Sequence, residues 1–147
     1  MVGVGGCLPA RLVSNDELAK TVDTSDEWIQ QRTGIKQRYL VEDERTSDLA
    51  VGAAKEALEH AGISADDIDI IVLATTTPND TFPSTASIVQ KELGAFNAFA
   101  FDVQAVCAGF VYALGVAESL LKIGQGKRAL VIGAESFSKL LDWDDRT

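Results

Sequence analysis

The chain has one histidine, two cysteines and three prolines in 147 residues. No apolar run approaches the roughly 20 residues of a membrane-spanning helix. The first residues lack the basic stretch and apolar core of a secretory signal, so the expected location is the cytoplasm. Cys7 and Cys107 lie far apart and form neither a CxxC pair nor a metal-ligand spacing. They read as two free thiols, and no metal site is expected. Cationic side chains are also scarce. Lys and Arg number 13 against 22 Asp and Glu, and the net charge of −9 argues against nucleic acid or an anionic membrane as the main partner. A small anionic ligand held by a few local arginines remains compatible with that balance. There is no low-complexity tract, and no repeat of the roughly 20–50-residue kind.

Apolar residues make up 46% of the chain, enough to build the core of one ordinary domain. "VGVGGCLP" (residues 2–9) reads as a short strand running into a glycine-rich turn, its glycines and Gly109 being read as backbone-permissive positions. Ser14 with Glu17, and Thr24 with Glu27, are capping-box signals for helices from Asn15 and through "SDEWIQQRTG", the second stopped by Gly34. Residues 47–62 form a third helix with Leu49, Ala53, Ala57 and Ala61 near one face. "DIDIIVLATTT" is β-branched and almost continuously apolar, which suits a strand buried on both faces. A helix over 83–94, the strand "AFAFDVQAV", the helix "CAGFVYALGVAESLLKIG" and the strand "KRALVIGAES" follow. Alternating strands and helices predict an α/β fold with a mainly parallel sheet, layered helices and right-handed crossovers. Four strands are expected. So thin a sheet looks cut off after "FSKLLDWDDRT".

Cys107 stands at a strand-to-helix junction, and in parallel α/β sheets ligands gather at the carboxyl ends of strands. A helix amino terminus offers N–H groups and a positive dipole end, which favour a thiolate and stabilise an oxyanion beside it. Ala108 and Gly109 leave room for a substrate. From position alone, a core cysteine that merely packs is an equal alternative. Cys7 reads as structural. His60, at a helix end, reads as solvated or as a C-cap, and "SADD" and "EDER" read as solvated loops. Trp28 and Arg32 are four apart and share a helix face; by spacing alone they are a half-buried indole and a solvated cation.

Four blocks, "DTSDEWIQQRTGI", "ATTTPNDTFPSTA", "FDVQAVCAGFVYAL" and "LDWDDRT", resemble in order the β-ketoacyl-acyl carrier protein synthase III family of thiolase-like condensing enzymes. The resemblance runs from end to end. It implies a thiolase-like fold, with residues 1–147 as the N-terminal half, short of its last strand and of the whole C-terminal half. It also implies that Cys107 takes an acyl group, typically acetyl, from acyl-CoA and condenses it with malonyl-acyl carrier protein, with loss of carbon dioxide, to start type II fatty acid synthesis. Acyl-CoA is then a substrate, and no permanently bound cofactor is expected. Thr24, Trp28 and Arg32 would lie at the CoA nucleotide, Trp28 on one face of the adenine and Arg146 on the other. Phe82 would sit at a homodimer interface, reaching toward the partner's acyl pocket. The family's catalytic histidine and asparagine fall in the C-terminal half. The alternatives are a related starter-unit condensing enzyme of a secondary pathway, differing in acyl pocket, and a truncated half without condensing activity.

Overall fold

Serine and glycine mark several helix ends in this sequence, and the computed structural model, which describes residues 1–145, uses Ser14, Ser25 and Ser84 as N-caps and Gly34, Gly62 and Gly94 as C-caps. The chain divides into two compact units, residues 8–44 with the segment from 136 onward, and residues 1–7 with 45–135.

In the first unit, β1 (Arg11–Ser14) pairs antiparallel with β2 (Gln37–Leu40), Leu12 opposite Tyr39. Between them come α1 (Asn15–Leu18) and α2 (Asp26–Thr33). The Ser14 hydroxyl accepts from the Glu17 N–H at 3.1 Å, as the capping signal predicts. The start of α2 differs by one residue from the predicted Thr24 cap: Ser25 is the N-cap, accepting from the Trp28 N–H at 3.1 Å. Gly34 ends α2 in the left-handed region, at φ 73°. The centre of this unit is polar. Asn15, 1% exposed, donates to Asp26 and to the Ile35 carbonyl, both at 2.8 Å, while its own oxygen accepts from Arg38. Hydrogen bonds from Asn15 first and Gln30 second hold the Asp26 carboxyl below its ordinary range. Residues after 135 return to the same unit: Ser138 Oγ accepts from the Val41 N–H, and Lys139 donates to the Glu44 carbonyl at 2.8 Å.

The second unit is the expected α/β layer. Its elements are α3 (Thr46–Ala61), β3 (Ile70–Ala74), α4 (Thr85–Leu93), β4 (Phe99–Val103), α5 (Gly109–Lys122) and β5 (Ala129–Gly133). The sheet is parallel throughout in the order β4-β3-β5, with β4 at one edge, as the sheet order of the resembled family implies, and β5 at the other. Every residue of central β3 is buried, as its unbroken apolar run predicts. Ile71 and Leu73 join Ala50, Ala54, Ala86 and Val89 of α3 and α4 in one core. Ile70, Val72 and Ala74 face the other way, onto Ala113 and Ala117 of α5. Gly62 and Gly94 close α3 and α4 at φ 64° and 74°.

Two sequence expectations are corrected. Residues 2–9 form no strand. Residues 1–7 lie along α3 so closely that a Cβ on Gly3 or Gly5 would come within 2.3 Å of the Ala57 oxygen or 2.4 Å of the Ala53 oxygen. The backbone of this segment is held by side chains of α3, with the Gly6 N–H donating to Glu56 at 2.6 Å and both backbone groups of Val4 meeting His60 Nδ1. These glycines are needed for close approach, not for unusual backbone angles. The strand count is also five rather than four among the described residues, because β1 and β2 are too short and too polar ("RLVS", "QRYL") to show a period.

Candidate functional site

β4 ends at Val103 and α5 begins at Gly109, and the link between them is a 3-10 turn over Val106–Ala108 with Cys107 at its centre. Cys107 is a free thiol exposed on this chain, and it takes no part in the core of the sheet unit. The turn carries backbone strain. Val106 has φ 47°, and a β-branched residue in the left-handed region costs about 1–3 kcal/mol, held here by the structure on either side. The N-cap of α5 is Ala108, which has no side chain to accept from the first-turn N–H groups. Gly109 is helical. A Cβ there would stand 3.1 Å from that of Ala74, so the helix seats closely on the end of β3 and a larger residue would push Ala74 by a few tenths of an ångström. The Gly109 N–H donates to the Val106 carbonyl within the turn, and an exposed thiol ahead of a helix start can act as a nucleophile, favoured as thiolate by the positive end of the helix dipole.

The carboxyl ends of the strands are joined by a polar network that the sequence reading did not single out. Glu135, just past β5, accepts from the Thr76 N–H at 2.8 Å, the Thr77 N–H at 3.1 Å and the Thr77 hydroxyl. The Thr75 hydroxyl stands 3.4 Å from the same carboxylate. The Asn79 side chain accepts from the Ser47 N–H at 3.0 Å and donates its amide N–H to the Ser47 hydroxyl at 2.7 Å, while the Asn79 backbone N–H donates to the Thr85 hydroxyl. Asp102, on β4, accepts from the Thr85 and Ala86 N–H groups at 2.8 and 2.7 Å and so caps α4. The available signal was the position of "TTT" and "ES" directly after apolar strand runs.

Phe82 lies on the loop between β3 and α4 and is 84% exposed, an aromatic ring with little of this chain over it. In the other unit, Trp28 is 39% exposed on α2, and the Arg32 guanidinium carbon stands 4.3 Å from its ring centroid. Arg32 is exposed, as spacing alone suggests, and it also forms a cation–π pair with Trp28. Thr24 is half-buried just before the α2 cap. The structure therefore brings Trp28 and Arg32 into contact, with Thr24 ahead of them in sequence. Cys107 and Phe82 belong to the sheet unit. Arg146 lies outside the described residues. Among the described residues, no group of three His, Cys, Asp or Glu is placed to hold a metal ion. None of their helices is long and apolar enough to cross a membrane.

The family described as 3-oxoacyl-[acyl-carrier-protein] synthase III matches residues 101–147. Over the full chain, similarity extends to proteins named beta-ketoacyl-[acyl-carrier-protein] synthase III. That of Ehrlichia canis is 60% identical over 148 residues, covering 100% of this chain and 46% of the relative. That of Erythrobacter litoralis is 62% identical, covering 99% and 46%. Among solved structures, the synthase III of Aquifex aeolicus superposes with a TM-score of 0.95 at 50% identity, over 99% of this chain and 47% of the other. The priming β-ketosynthase of the R1128 polyketide pathway gives 0.94 at 40%, over 99% and 44%. The chain spans about half the length of the curated relatives it matches.

Proposed function

Since the chain belongs to the β-ketoacyl-[acyl-carrier-protein] synthase III family and has its thiolase-like fold, we propose that it supplies the nucleophilic part of an acyl-CoA:malonyl-acyl carrier protein condensing enzyme. The exposed Cys107 thiol, on a strained turn ahead of the uncapped α5, is the observation that carries this reading.

In the first step, Cys107 Sγ attacks the thioester carbonyl of an acyl-CoA, typically acetyl-CoA. A carbon–sulfur bond forms, and CoA leaves as a thiolate that takes up a proton. The helix start beside the thiol faces the oxyanion of the tetrahedral intermediate. In the second step, malonyl-acyl carrier protein loses carbon dioxide. The electron pair left on its α-carbon attacks the acyl carbonyl, Cys107 departs as thiolate, and 3-oxoacyl-acyl carrier protein is released. Decarboxylation generates the carbanion, so no strong base is required. Full turnover also needs the histidine and asparagine expected of the family's other half. His60, the sole histidine, is engaged with the Val4 backbone and is not a candidate for that role.

At the nucleotide end of CoA, Trp28 offers an exposed indole already flanked by the Arg32 cation. Trp28 stacks on the adenine, Arg32 and Thr24 lie beside it, and Arg146 closes the other face. CoA acts as a substrate rather than a resident cofactor. The enzyme works in the cytoplasm as a homodimer through the outer edge of β4. There Phe99 and Phe101 stack with centroids 6.3 Å apart, and Phe82 reaches into the partner. Residues 1–147 by themselves have no condensing activity and associate or aggregate, because exposed sheet edges seek partners.

The test is turnover of acetyl-CoA and malonyl-acyl carrier protein by the full-length enzyme. Wild type makes the 3-oxoacyl product and Cys107→Ser makes none; equal product from both would refute the reading. The similarity to a priming β-ketosynthase favours one second reading, a starter-unit enzyme of a secondary pathway. A preference for longer or branched acyl-CoA over acetyl-CoA would select it.

A further inference from the structure

We propose that Glu135 is a positioning residue for Cys107, an inference that rests on the reading of Cys107 as acyl acceptor. The first turn of α5 sits on the ends of two neighbouring strands. Gly109, two residues after the thiol, lies against Ala74 at the end of β3, with only 3.1 Å left for a Cβ. Phe110, the next residue, lies against Gly133 at the end of β5, where a Cβ would meet its ring at 3.3 Å. The seat of the nucleophile is therefore the pair of strand ends at Ala74 and Gly133. Main-chain bonds extend the sheet one residue further: the Thr75 N–H donates to the Val103 carbonyl, and the Ala134 N–H to the Ala74 carbonyl, both at 3.1 Å.

Past these bonds the ladder stops, and the Glu135 carboxylate takes over. It reaches from the β5 side to the Thr76 and Thr77 N–H groups and the Thr77 hydroxyl on the β3 side. The clasp is charge-assisted, and its two oxygens accept from different donors, so it fixes direction as well as distance. Thr75 and Thr77 are buried while Glu135 is exposed, so the carboxylate closes the top of a packed layer. Thr77 carries the constraint onward, its carbonyl accepting from the Thr46 hydroxyl at the start of α3. Holding the two strand ends in register keeps Gly109 and Phe110 seated, and through them the strained Val106–Cys107 turn.

Glutamine at 135 fits the same space, but only one of its two terminal atoms accepts. Its amide nitrogen would face a backbone N–H, donor against donor. Aspartate keeps both acceptor oxygens at a shorter reach. The experiment uses the full-length enzyme and measures two rates at Cys107: acylation by acetyl-CoA, followed by intact mass, and alkylation by iodoacetamide, followed by peptide mapping. In Glu135→Gln, acylation should fall about tenfold, within the roughly 10²-fold that a 1 Å misplacement costs, with the acetyl-CoA concentration for half-maximal rate changed by less than about twofold. Glu135→Asp should recover most of that loss, and a role in overall folding alone would not produce this split. If Glu135→Gln melts below the assay temperature, Thr77→Val takes its place; it removes one bond of the clasp and should slow acylation about threefold. An acylation rate in the testing variant equal to wild type, or a loss that aspartate does not recover, overturns the proposal. Should wild type fail to acylate at Cys107, the acceptor reading falls instead. The alkylation rate separates the two cases, because it reads the seating of the thiol without CoA chemistry.

Discussion

Hydrocarbon holds together the unit built on β3, β4 and β5, whereas the unit built on β1, β2 and α2 is held by hydrogen bonds. In the first, Ile70, Ile71, Val72 and Leu73 have no exposed surface, and helices cover both faces of the sheet. In the second, the buried side chains include Asn15 alongside Val13 and Ile29, and the amide of Asn15 ties α1, α2 and β2 together. The contrast suits the chemistry proposed for each. A thiol that must attack one carbonyl from one direction needs a frame stiff enough to keep Val106 at an unfavourable φ, and a close-packed sheet provides it. A stacking partner for a nucleotide base needs an accessible flat face and a nearby cation. Trp28 and Arg32 on an eight-residue helix provide both.

The largest expected effect falls on the thiol. Cys107→Ser should lose acyl transfer entirely with little change in melting temperature, because the side chain is exposed on this chain and the replacement is nearly isosteric. A large drop in melting temperature would mean that the cysteine belongs to the core after all. Next comes the hydrocarbon frame. Leu73→Ala should cost about 2–5 kcal/mol in denaturant unfolding, against about 1–3 kcal/mol for Asn15→Ala in the polar unit. A reversed order would break the comparison between the two units.

Smaller effects are expected at the exposed pair. Trp28→Ala should weaken CoA binding by about 0.5–2 kcal/mol while leaving stability nearly unchanged. Titration of full-length enzyme with CoA, following Trp28 fluorescence in wild type, gives the reference affinity. Equal affinity in Trp28→Ala and Arg146→Ala would remove both from the nucleotide site. The smallest effect is on pH dependence. Hydrogen bonds from Asn15 and Gln30 depress the Asp26 carboxyl in the folded state, so its contribution is complete above the unfolded value of about 4 and is lost as the pH falls through the lower folded value. Asp26→Asn should flatten that acid-side decline in melting temperature. Asp69, depressed by the Lys127 and Arg128 N–H groups, titrates in the other unit and leaves a residual slope. An unchanged slope in Asp26→Asn would show that the hydrogen bonds do not favour the ionised form.

The sheet unit was legible because its elements announce themselves locally. The β3 run is apolar without interruption, glycine follows α3 and α4, and the thiol stands between a strand pattern and a helix pattern. Four-residue strands such as β1 and β2 carry no usable period, and their pairing joins segments more than twenty residues apart. Residues 2–9 look strand-like, yet residues 1–7 pack on α3, because glycine permits both and tertiary contact decides. Thr24 and Ser25 are both sound caps, and only the backbone of α2 chooses Ser25. The resemblance to condensing enzymes pointed to Cys107. Neither the strain at Val106 nor the Glu135 clasp has a sequence signature, since both arise where strand ends converge.

The most direct test of the central claim is to incubate the full-length enzyme with acetyl-CoA alone and map the acyl adduct by peptide mass spectrometry. One acetyl group on Cys107, with Cys7 unmodified, is the expected result. Acetylation at Cys7, or an adduct that survives in Cys107→Ser, would contradict it.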